Sequence, residues 1–195
     1  IAKKSKIISK VIVSTDSNKI KKISIKYGAE VPFLRRKNIS QNSVSLKIVL
    51  KDVVTELKIN DKYICCIYST AVLLNTDVVK KALNKIKKLD YDLIVGIKEY
   101  DVAPHLAMKV KNNRLELINK KKFYSKKPEQ KLYNDAGSFF IFNRANYFKE
   151  KFIPKKTTFI QIDNDEAIDV NTIKDLNMLK KIFDKKKFNK KIQSR

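Results

Sequence analysis

Glycine, histidine and tryptophan are scarce in this chain of 195 residues, which has three, one and none of them, respectively. With so few glycines, neither a Gly-x-Gly-x-x-Gly nor a Walker sequence occurs, so these residues form no glycine-rich phosphate cradle. The one histidine, His105, has no recognisable base partner, and we expect it to be a loop side chain. Without such a partner, Ser-His-Asp chemistry is excluded.

Cysteine is also scarce, and the two residues, Cys65 and Cys66, are neighbours in an apolar run. Neighbouring side chains on a strand point to opposite faces, so the pair is poorly placed to share a metal and is not a Cys-x-x-Cys motif. We expect two small buried side chains in a reducing compartment. No apolar run approaches the roughly eighteen residues of a membrane span, and no signal peptide is recognisable. A cytoplasmic location and no membrane partner are therefore expected.

Acidic residues are outnumbered by basic ones, 20 against 44, which gives a formal net charge of +24. Such a charge suits either a polyanion-binding surface or a lysine-rich surface that is merely solvated. Only five of the basic residues are arginines, whereas proteins that read nucleic acids rely on arginine for bidentate contacts. The composition therefore favours the solvated surface, and no specific nucleic-acid partner is expected.

The apolar pattern alternates between strand and helix periods, which predicts an α/β fold with a mostly parallel sheet. Segment 63–68 is apolar throughout and is expected to be a central strand. Ser17 and Gly28 are expected to begin and end the first helix, and Ser43 to cap the second. Predicted strands cover 11–15, 63–68, 92–97, 137–143 and 159–162, with a short extended piece at 31–34. Predicted helices cover 17–27, 43–58, 76–89, 144–149 and 172–186.

The middle segment, 98–131, departs from this alternation. It contains two prolines and a hairpin candidate at 111–114, flanked by short alternating runs. We expect a small β-rich insertion over the carboxyl ends of the main strands, the edge at which open α/β sheets bind ligands. The expected organisation is one domain, 1–184, followed by a basic tail, 185–195.

Two groups of polar residues follow or begin apolar strands. Tyr68 and Thr70 follow the strand at 63–68, where α/β enzymes place substrate contacts, although an ordinary strand-to-helix connection fits as well. Asp135 and Gly137 begin an aromatic strand. There, glycine permits the close approach of a ligand and Asp135 can bind hydroxyl groups, but a tight turn explains the same residues.

Two further groups contain charged or amide side chains. Asp169 and Asn171 project to the same side of an extended segment, and their oxygens can hold Mg²⁺, whereas Asn171 or Thr172 can equally cap the next helix. Arg35 follows an extended piece, where it can pair with a phosphate or stay on the surface. Asp16 ends the first strand and is expected to cap the next helix and to shape a site.

These segments, in this order, resemble the sugar-acid cytidylyltransferases, which load sialic acid or pseudaminic acid onto CMP. The resemblance runs from residue 1 to about 179. It rests on Ser-Thr-Asp-Ser at 14–17, Tyr-Gly-Ala-Glu-Val-Pro-Phe-Leu-Arg at 27–35 and Cys-Cys-Ile-Tyr-x-Thr-Ala at 65–71. Asp-Ala-Gly at 135–137 and Ile-Asp-x-x-Thr at 168–172 complete the series. No single motif is decisive, but the ordered series is specific.

The resemblance implies a Rossmann-like three-layer α/β/α nucleotidyltransferase fold with a small β-rich insertion, and a possible homodimer. It implies that CMP is transferred from CTP to a nonulosonic sugar acid, with release of pyrophosphate, for surface glycan or flagellin glycosylation. The Cys-Cys-Ile-Tyr motif favours pseudaminic acid over N-acetylneuraminic acid. The implied nucleotide contacts are Asp16, Arg35 and Ser45. The implied sugar contacts are Tyr68, Thr70, Asp135 and Gly137, and the implied Mg²⁺ ligands are Asp169 and Asn171.

Several positions depart from the family pattern. Ser69 and Val72 replace prolines, Ser138 replaces glutamine, and Asn171 replaces an aspartate, which should weaken Mg²⁺ binding. The family's first βα unit, with its glycine- and arginine-rich phosphate loop, would precede residue 1. We therefore expect this chain to be weak or inactive as an enzyme. The alternatives are a decayed, non-catalytic paralogue and a basic protein that binds nucleic acid or an anionic surface.

Overall fold

A computed structural model describes residues 2–5, 7–100, 104–124, 131–151, 153–168, 170 and 172–193. The chain forms two compact units. The first unit is Ile1–Cys66, Leu74–Ile94 and Phe140–Thr158, and the second is Ile67–Leu73, Val95–Phe139 and Phe159–Arg195. Among the helices in the described residues, none has the length and apolar character needed to cross a bilayer.

Helices and strands alternate through most of the chain, as the sequence predicts. The helices are α1 (Asn18–Lys26), α2 (Leu46–Glu56), α3 (Thr76–Leu89), α4 (Lys120–Phe123), α5 (Arg144–Tyr147) and α6 (Ile173–Gln193). The strands are β1 (Tyr63–Ile67), β2 (Leu93–Glu99), β3 (Met108–Lys111), β4 (Arg114–Leu117), β5 (Tyr133–Asn143) and β6 (Thr157–Gln161). Short 3-10 turns occur at Lys3–Ser5, Lys37–Ile39 and Pro104–Leu106.

The main sheet has the strand order β1-β5-β2-β6, and β5 is antiparallel to β1. The Tyr68 amide donates to the Ser138 carbonyl at 2.9 Å, and the Arg144 amide donates to the Lys62 carbonyl at 3.0 Å. Residue numbers therefore rise along one strand as they fall along the other, which defines an antiparallel pair.

The other two pairings of the sheet have opposite senses. Gly96 of β2 lies against the Phe139 carbonyl, and the Asn143 amide donates to the Asp92 carbonyl, so β5 is antiparallel to β2 as well. The Asp92 amide donates to the Lys156 carbonyl, and the Ile162 amide donates to the Ile97 carbonyl. Residue numbers therefore rise together along the two strands, so β2 and β6 are parallel. The prediction of a mostly parallel sheet is therefore wrong, because the sheet is mixed.

The predicted central place of segment 63–68 is also wrong, because β1 lies at one end of the strand order. All five residues of β1 are only half-buried. In β5, by contrast, the last six residues are all buried, and β5 lies between two neighbours. An apolar composition marks both strands, but the number of neighbours, which decides burial, is set by long-range pairing.

The predicted strand at 11–15 is reduced to a single parallel bridge between Ile12 and Glu30. The Glu30 amide donates to the Val11 carbonyl at 2.8 Å, and the Val13 amide donates to the Glu30 carbonyl at 2.9 Å. The next bond of a parallel ladder would need an amide proton from Pro32, which has none, so the ladder stops there.

In the first unit, α3 supplies a buried stripe. Its bounds match the prediction, Asn75 caps it by accepting from the Asp77 amide at 2.9 Å, and Val79, Ala82 and Ile86 are buried. By contrast, α1 has no buried residue. Its caps are nevertheless as predicted: the Ser17 side chain accepts from the Ile20 amide, and Gly28 has a φ of +81°.

The second predicted helix is shorter than expected. It begins at Leu46, and the N-cap is Ser45, not Ser43. The Ser45 hydroxyl makes no capping hydrogen bond to the helix.

In the second unit, β3 and β4 form the predicted hairpin. Lys111 is paired with Arg114 across a turn in which Asn112 and Asn113 have φ values of +49° and +60°. Asparagine tolerates these left-handed conformations better than most residues, and two of them in succession suit a two-residue hairpin turn. The small β-rich insertion is therefore present.

Gly96 of β2 allows close packing within the second unit. A Cβ atom added there would lie 2.6 Å from the Ile162 Cδ1 atom and 3.1 Å from the Ser138 Oγ atom. These separations are shorter than side-chain contacts tolerate, so glycine at this position allows β2, β5 and the end of β6 to approach one another.

Candidate active site

Arg35, in the first unit, is fixed at both its backbone and its side chain. Its amide donates to the Thr15 carbonyl at 2.8 Å, and its Nε atom donates to the Ser40 hydroxyl at 3.1 Å. The Nη2 atom lies 3.9 Å from the Asp16 carboxylate. The structure therefore brings together Asp16 and Arg35, two residues proposed for the nucleotide, and adds Ser40, which the sequence analysis missed.

Arg36, the adjacent arginine, faces different partners. Its guanidinium pairs with Asp52 and with Glu56, both on α2. These carboxylates are four residues apart and share one face of the helix. Arg36 is therefore tied to α2 and is not part of the cluster around Arg35.

Asp16 precedes α1 but does not cap it, because Ser17 occupies the N-cap. The capping role predicted for Asp16 is wrong, and its carboxylate instead lies near Arg35. Ser45 is the N-cap of α2, but its hydroxyl makes no capping hydrogen bond to the helix. A hydroxyl at a helix N-terminus that is not used as a cap is suited to a ligand oxygen.

In the second unit, the residues proposed for the sugar lie on adjoining backbone. The Tyr68 amide is bonded to the Ser138 carbonyl, and the Tyr68 carbonyl accepts from the Ala71 amide at 3.0 Å. The Thr70 carbonyl accepts from the Val72 amide at 2.8 Å, which closes a tight turn after β1. This turn continues the antiparallel register of β1 with β5, which carries Asp135 and Gly137.

Asp135 and Gly137 form a local turn within β5. The Asp135 Oδ1 atom accepts from the Gly137 amide at 2.8 Å, and Gly137 has a φ of +58°. A residue with a side chain would be strained in this left-handed conformation. The tight turn considered in the sequence analysis is therefore present, and the carboxylate of Asp135 is exposed to solvent, where a ligand can reach it.

Two buried oxygens on β5 have no hydrogen-bond partner among the described residues: Ser138 Oγ and Asn134 Oδ1. Ser138 is buried, and its Oγ atom faces Gly96. It therefore faces away from solvent, where it is poorly placed to replace the family's glutamine as a ligand contact. The Asn134 oxygen is an unsatisfied acceptor one residue before Asp135.

Asp169 and Asn171, the proposed Mg²⁺ ligands, lie outside the described residues. The residue after them, Thr172, forms a capping box with Asp175: the Thr172 amide and hydroxyl each donate to the Asp175 carboxylate at 2.8 Å, and the Asp175 amide donates back at 3.2 Å. The capping alternative is therefore confirmed at Thr172.

The backbone just before Asp169 is anchored by Lys98, another residue that the sequence analysis missed. The Lys98 ammonium donates to the Ala167 carbonyl at 3.1 Å, and the Ala167 amide donates to the Asp163 carbonyl.

In the described part of the chain, no three His, Cys, Asp or Glu side chains form a metal-binding group. The side chains of Asp169 and Asn171 both contain oxygen atoms, and Mg²⁺ prefers oxygen ligands.

The cysteines are not candidates for nucleophilic chemistry. Burial raises the pKa of Cys65 and of Cys66 to about 12, and the charge of Cys66 adds to the effect on Cys65. Both are free thiols. They are therefore protonated at neutral pH, although both residues are half-buried and not fully buried as the sequence predicts.

Comparison with known proteins identifies the family. The Cytidylyltransferase family model matches residues 1–193. Pseudaminic acid cytidylyltransferase of Campylobacter jejuni subsp. jejuni serotype O:2 is 29% identical over 186 residues, which are 92% of this chain and 80% of that protein.

Two solved structures are similar in fold. The structure of CMP:2-keto-3-deoxy-manno-octonic acid synthetase complexed with CTP aligns with a TM-score of 0.57 and 10% identity, over 83% of this chain and 77% of the other. The 4-diphosphocytidyl-2C-methyl-D-erythritol synthase of Anaerococcus prevotii aligns with a TM-score of 0.59 and 12% identity, over 90% and 82% of the two chains. The family match over nearly the whole chain, together with this nucleotidyltransferase fold, shows that the chain belongs to the cytidylyltransferase family.

Proposed function

We propose that this chain transfers CMP from CTP to a nonulosonic sugar acid, and that pseudaminic acid is preferred over N-acetylneuraminic acid. The anomeric hydroxyl of the sugar acid attacks the α-phosphorus, a new oxygen–phosphorus bond forms, and the bond to pyrophosphate breaks. The hydroxyl proton passes to solvent or to a base. Such a reaction depends mainly on positioning and charge neutralisation.

The observation that carries the proposal is the clustering of the guanidinium of Arg35 with Asp16. The Arg35 side chain is about one-quarter exposed, so it is both held by the protein and open to a ligand. A guanidinium can pair with a phosphate or stack on a base. Together with the family match, this geometry supports a cytidine nucleotide as the ligand in the first unit.

In the second unit, the support comes from the Cys-Cys-Ile-Tyr-x-Thr-Ala segment and the turn at Asp135 and Gly137. The relative from Campylobacter jejuni is named for pseudaminic acid, which supports that sugar acid over sialic acid. The exposed carboxylate of Asp135 is an acceptor for sugar hydroxyl or amide protons.

For the metal, we propose that Asp169 and Asn171 hold Mg²⁺ with their side-chain oxygens, together with the phosphates of CTP. The metal supplies charge neutralisation at the triphosphate. We also propose that turnover by this chain is slow, because its sequence contains no glycine-rich phosphate loop. We further propose that the chain forms the homodimer that the resemblance implies. Light scattering tests this proposal, because it measures the molar mass in solution.

The experiment follows CTP binding by calorimetry and formation of the CMP-sugar by mass spectrometry during long incubations. Arg35→Lys should weaken CTP binding roughly tenfold or more, since lysine keeps the charge but loses the planar fork. Arg36→Lys is the matched control and should leave CTP binding nearly unchanged, because lysine still pairs with Asp52 and Glu56. More product with N-acetylneuraminic acid than with pseudaminic acid would contradict the substrate preference. Absence of CTP binding by the wild-type chain would favour the decayed paralogue.

A further inference from the structure

The hydroxyl of Ser40 connects two parts of the Arg35 segment. It accepts from Arg35 Nε at 3.1 Å and donates its own proton to the Arg36 carbonyl at 2.9 Å. The Ser40 amide donates to the Lys37 carbonyl, which closes the 3-10 turn after Arg36. Because the hydroxyl proton is used on a carbonyl, a lone pair of the oxygen is directed at Arg35.

This arrangement decides which edge of the Arg35 guanidinium is free. The Nε proton of Arg35 is donated to the Ser40 hydroxyl. Among the described residues, the other contact of the Arg35 guanidinium is longer: its Nη2 atom lies 3.9 Å from the Asp16 carboxylate. The edge formed by the two terminal nitrogens is therefore the edge that can bind an anion with two parallel bonds. An arginine without the Ser40 contact could rotate and present either edge.

We propose that Ser40 is a positioning residue for nucleotide binding, which holds the Arg35 guanidinium so that its terminal edge faces the ligand. Ser40 does not itself touch the nucleotide. The proposal depends on the proposed function only for the identity of the ligand. The orientation of Arg35 by Ser40 can be measured with or without nucleotide.

The first arm of the test measures CTP affinity by calorimetry. Ser40→Ala should weaken CTP binding by about threefold to tenfold, since one hydrogen bond to a charged group is lost. Ser40→Thr keeps the hydroxyl and should restore most of the affinity. Ser43→Ala is the matched control, because Ser43 is an exposed serine in the same segment, and it should leave the affinity unchanged.

A double-mutant cycle separates positioning from a general loss of structure. In an Arg35→Ala background, adding Ser40→Ala should change CTP affinity less than about twofold, because the group being oriented is gone. An equal effect of Ser40→Ala in both backgrounds would overturn the proposal.

The second arm measures hydrogen exchange of the Arg35 Nε proton by ¹H–¹⁵N NMR, which is practical because the chain has five arginines. The hydrogen-bonded proton should exchange slowly in the wild type and at least about tenfold faster in Ser40→Ala. If the wild-type chain fails to bind CTP, the proposed function fails, and the exchange measurement still decides the role of Ser40. Unchanged exchange in Ser40→Ala would overturn the proposal in either case.

Discussion

Arg35 and Arg36 are adjacent in the sequence but have different surroundings. Arg36 faces two carboxylates on α2, whereas Arg35 is held by the Thr15 carbonyl, the Ser40 hydroxyl and, at a longer distance, Asp16. The ion pair of Arg36 with Glu56 is exposed on both sides and contributes little to stability. A partly buried and oriented guanidinium such as that of Arg35 is suited to binding a ligand.

At the residue scale, the two cysteines should be unreactive. In the folded protein at pH 8, Cys65 and Cys66 should react slowly with 5,5′-dithiobis(2-nitrobenzoate), because burial raises the pKa of both thiols to about 12 from an ordinary value of 9.0. After unfolding in urea, both should react at the rate of a free thiol.

The same pKa shifts predict a dependence of stability on pH. Folded thiols keep their protons to a higher pH than unfolded ones, so the free energy of unfolding should fall as pH rises from about 9 towards 12. The double variant Cys65→Ala, Cys66→Ala should have a smaller slope over this range. Thiolate absorbance appearing near pH 9 in the folded wild type would contradict the prediction.

At the element scale, α1 and α3 show that an apolar stripe does not by itself fix burial. Ile20 and Ile23 are three residues apart on α1, and Tyr27 follows the helix as its C-cap, yet all three side chains are exposed. In α3, the stripe that contains Ile86 is buried. The periodicity identifies a helix in both cases, but the neighbouring elements determine how much of its apolar face leaves the solvent.

This difference predicts unequal effects of the same substitution. Ile86→Ala should lower the free energy of unfolding by about 2 to 5 kcal/mol, because Ile86 is 0% exposed and the truncation leaves a cavity. Ile23→Ala should cost less than about 1 kcal/mol, since Ile23 is 49% exposed. Urea unfolding followed by circular dichroism measures both values. Similar losses for the two variants would mean that α1 is buried as well.

At the scale of the whole molecule, the net charge of +24 dominates the long-range electrostatics. Most of it comes from lysine, and the lysine ion pairs found among the described residues, such as Lys109 with Glu116 and Lys131 with Glu99, are exposed. Such a surface attracts polyanions without reading their sequence. It also favours the approach of a triphosphate.

Any binding of nucleic acid should therefore be electrostatic and incidental. In a fluorescence titration, duplex DNA should bind at low salt without sequence preference, and binding should be lost by about 0.15 M salt. Two duplexes of unrelated sequence and equal length serve as mutual controls. Tight binding that persists at this salt concentration, or a clear preference for one duplex, would support the nucleic-acid-binding alternative.

The sequence by itself determined the features that depend on neighbours a few residues away. The bounds of α3, the hairpin turn at Asn112 and Asn113 and the helix end at Gly28 follow from local periodicity, capping and tolerance of positive φ. The ordered motifs likewise identified the family. These features could be predicted because i to i+4 interactions and turn geometry are encoded locally.

Only the tertiary structure decided the pairing of distant segments. It placed β1 at one end of the strand order, ran β5 antiparallel, and brought Ser40 and Asp16 to Arg35. The apolar composition of a strand does not specify its neighbour or its direction, since hydrogen-bond partners in a sheet are far apart in the chain. For the same reason, a serine that orients an arginine carries no local signal: its role follows from where the folded backbone places its oxygen.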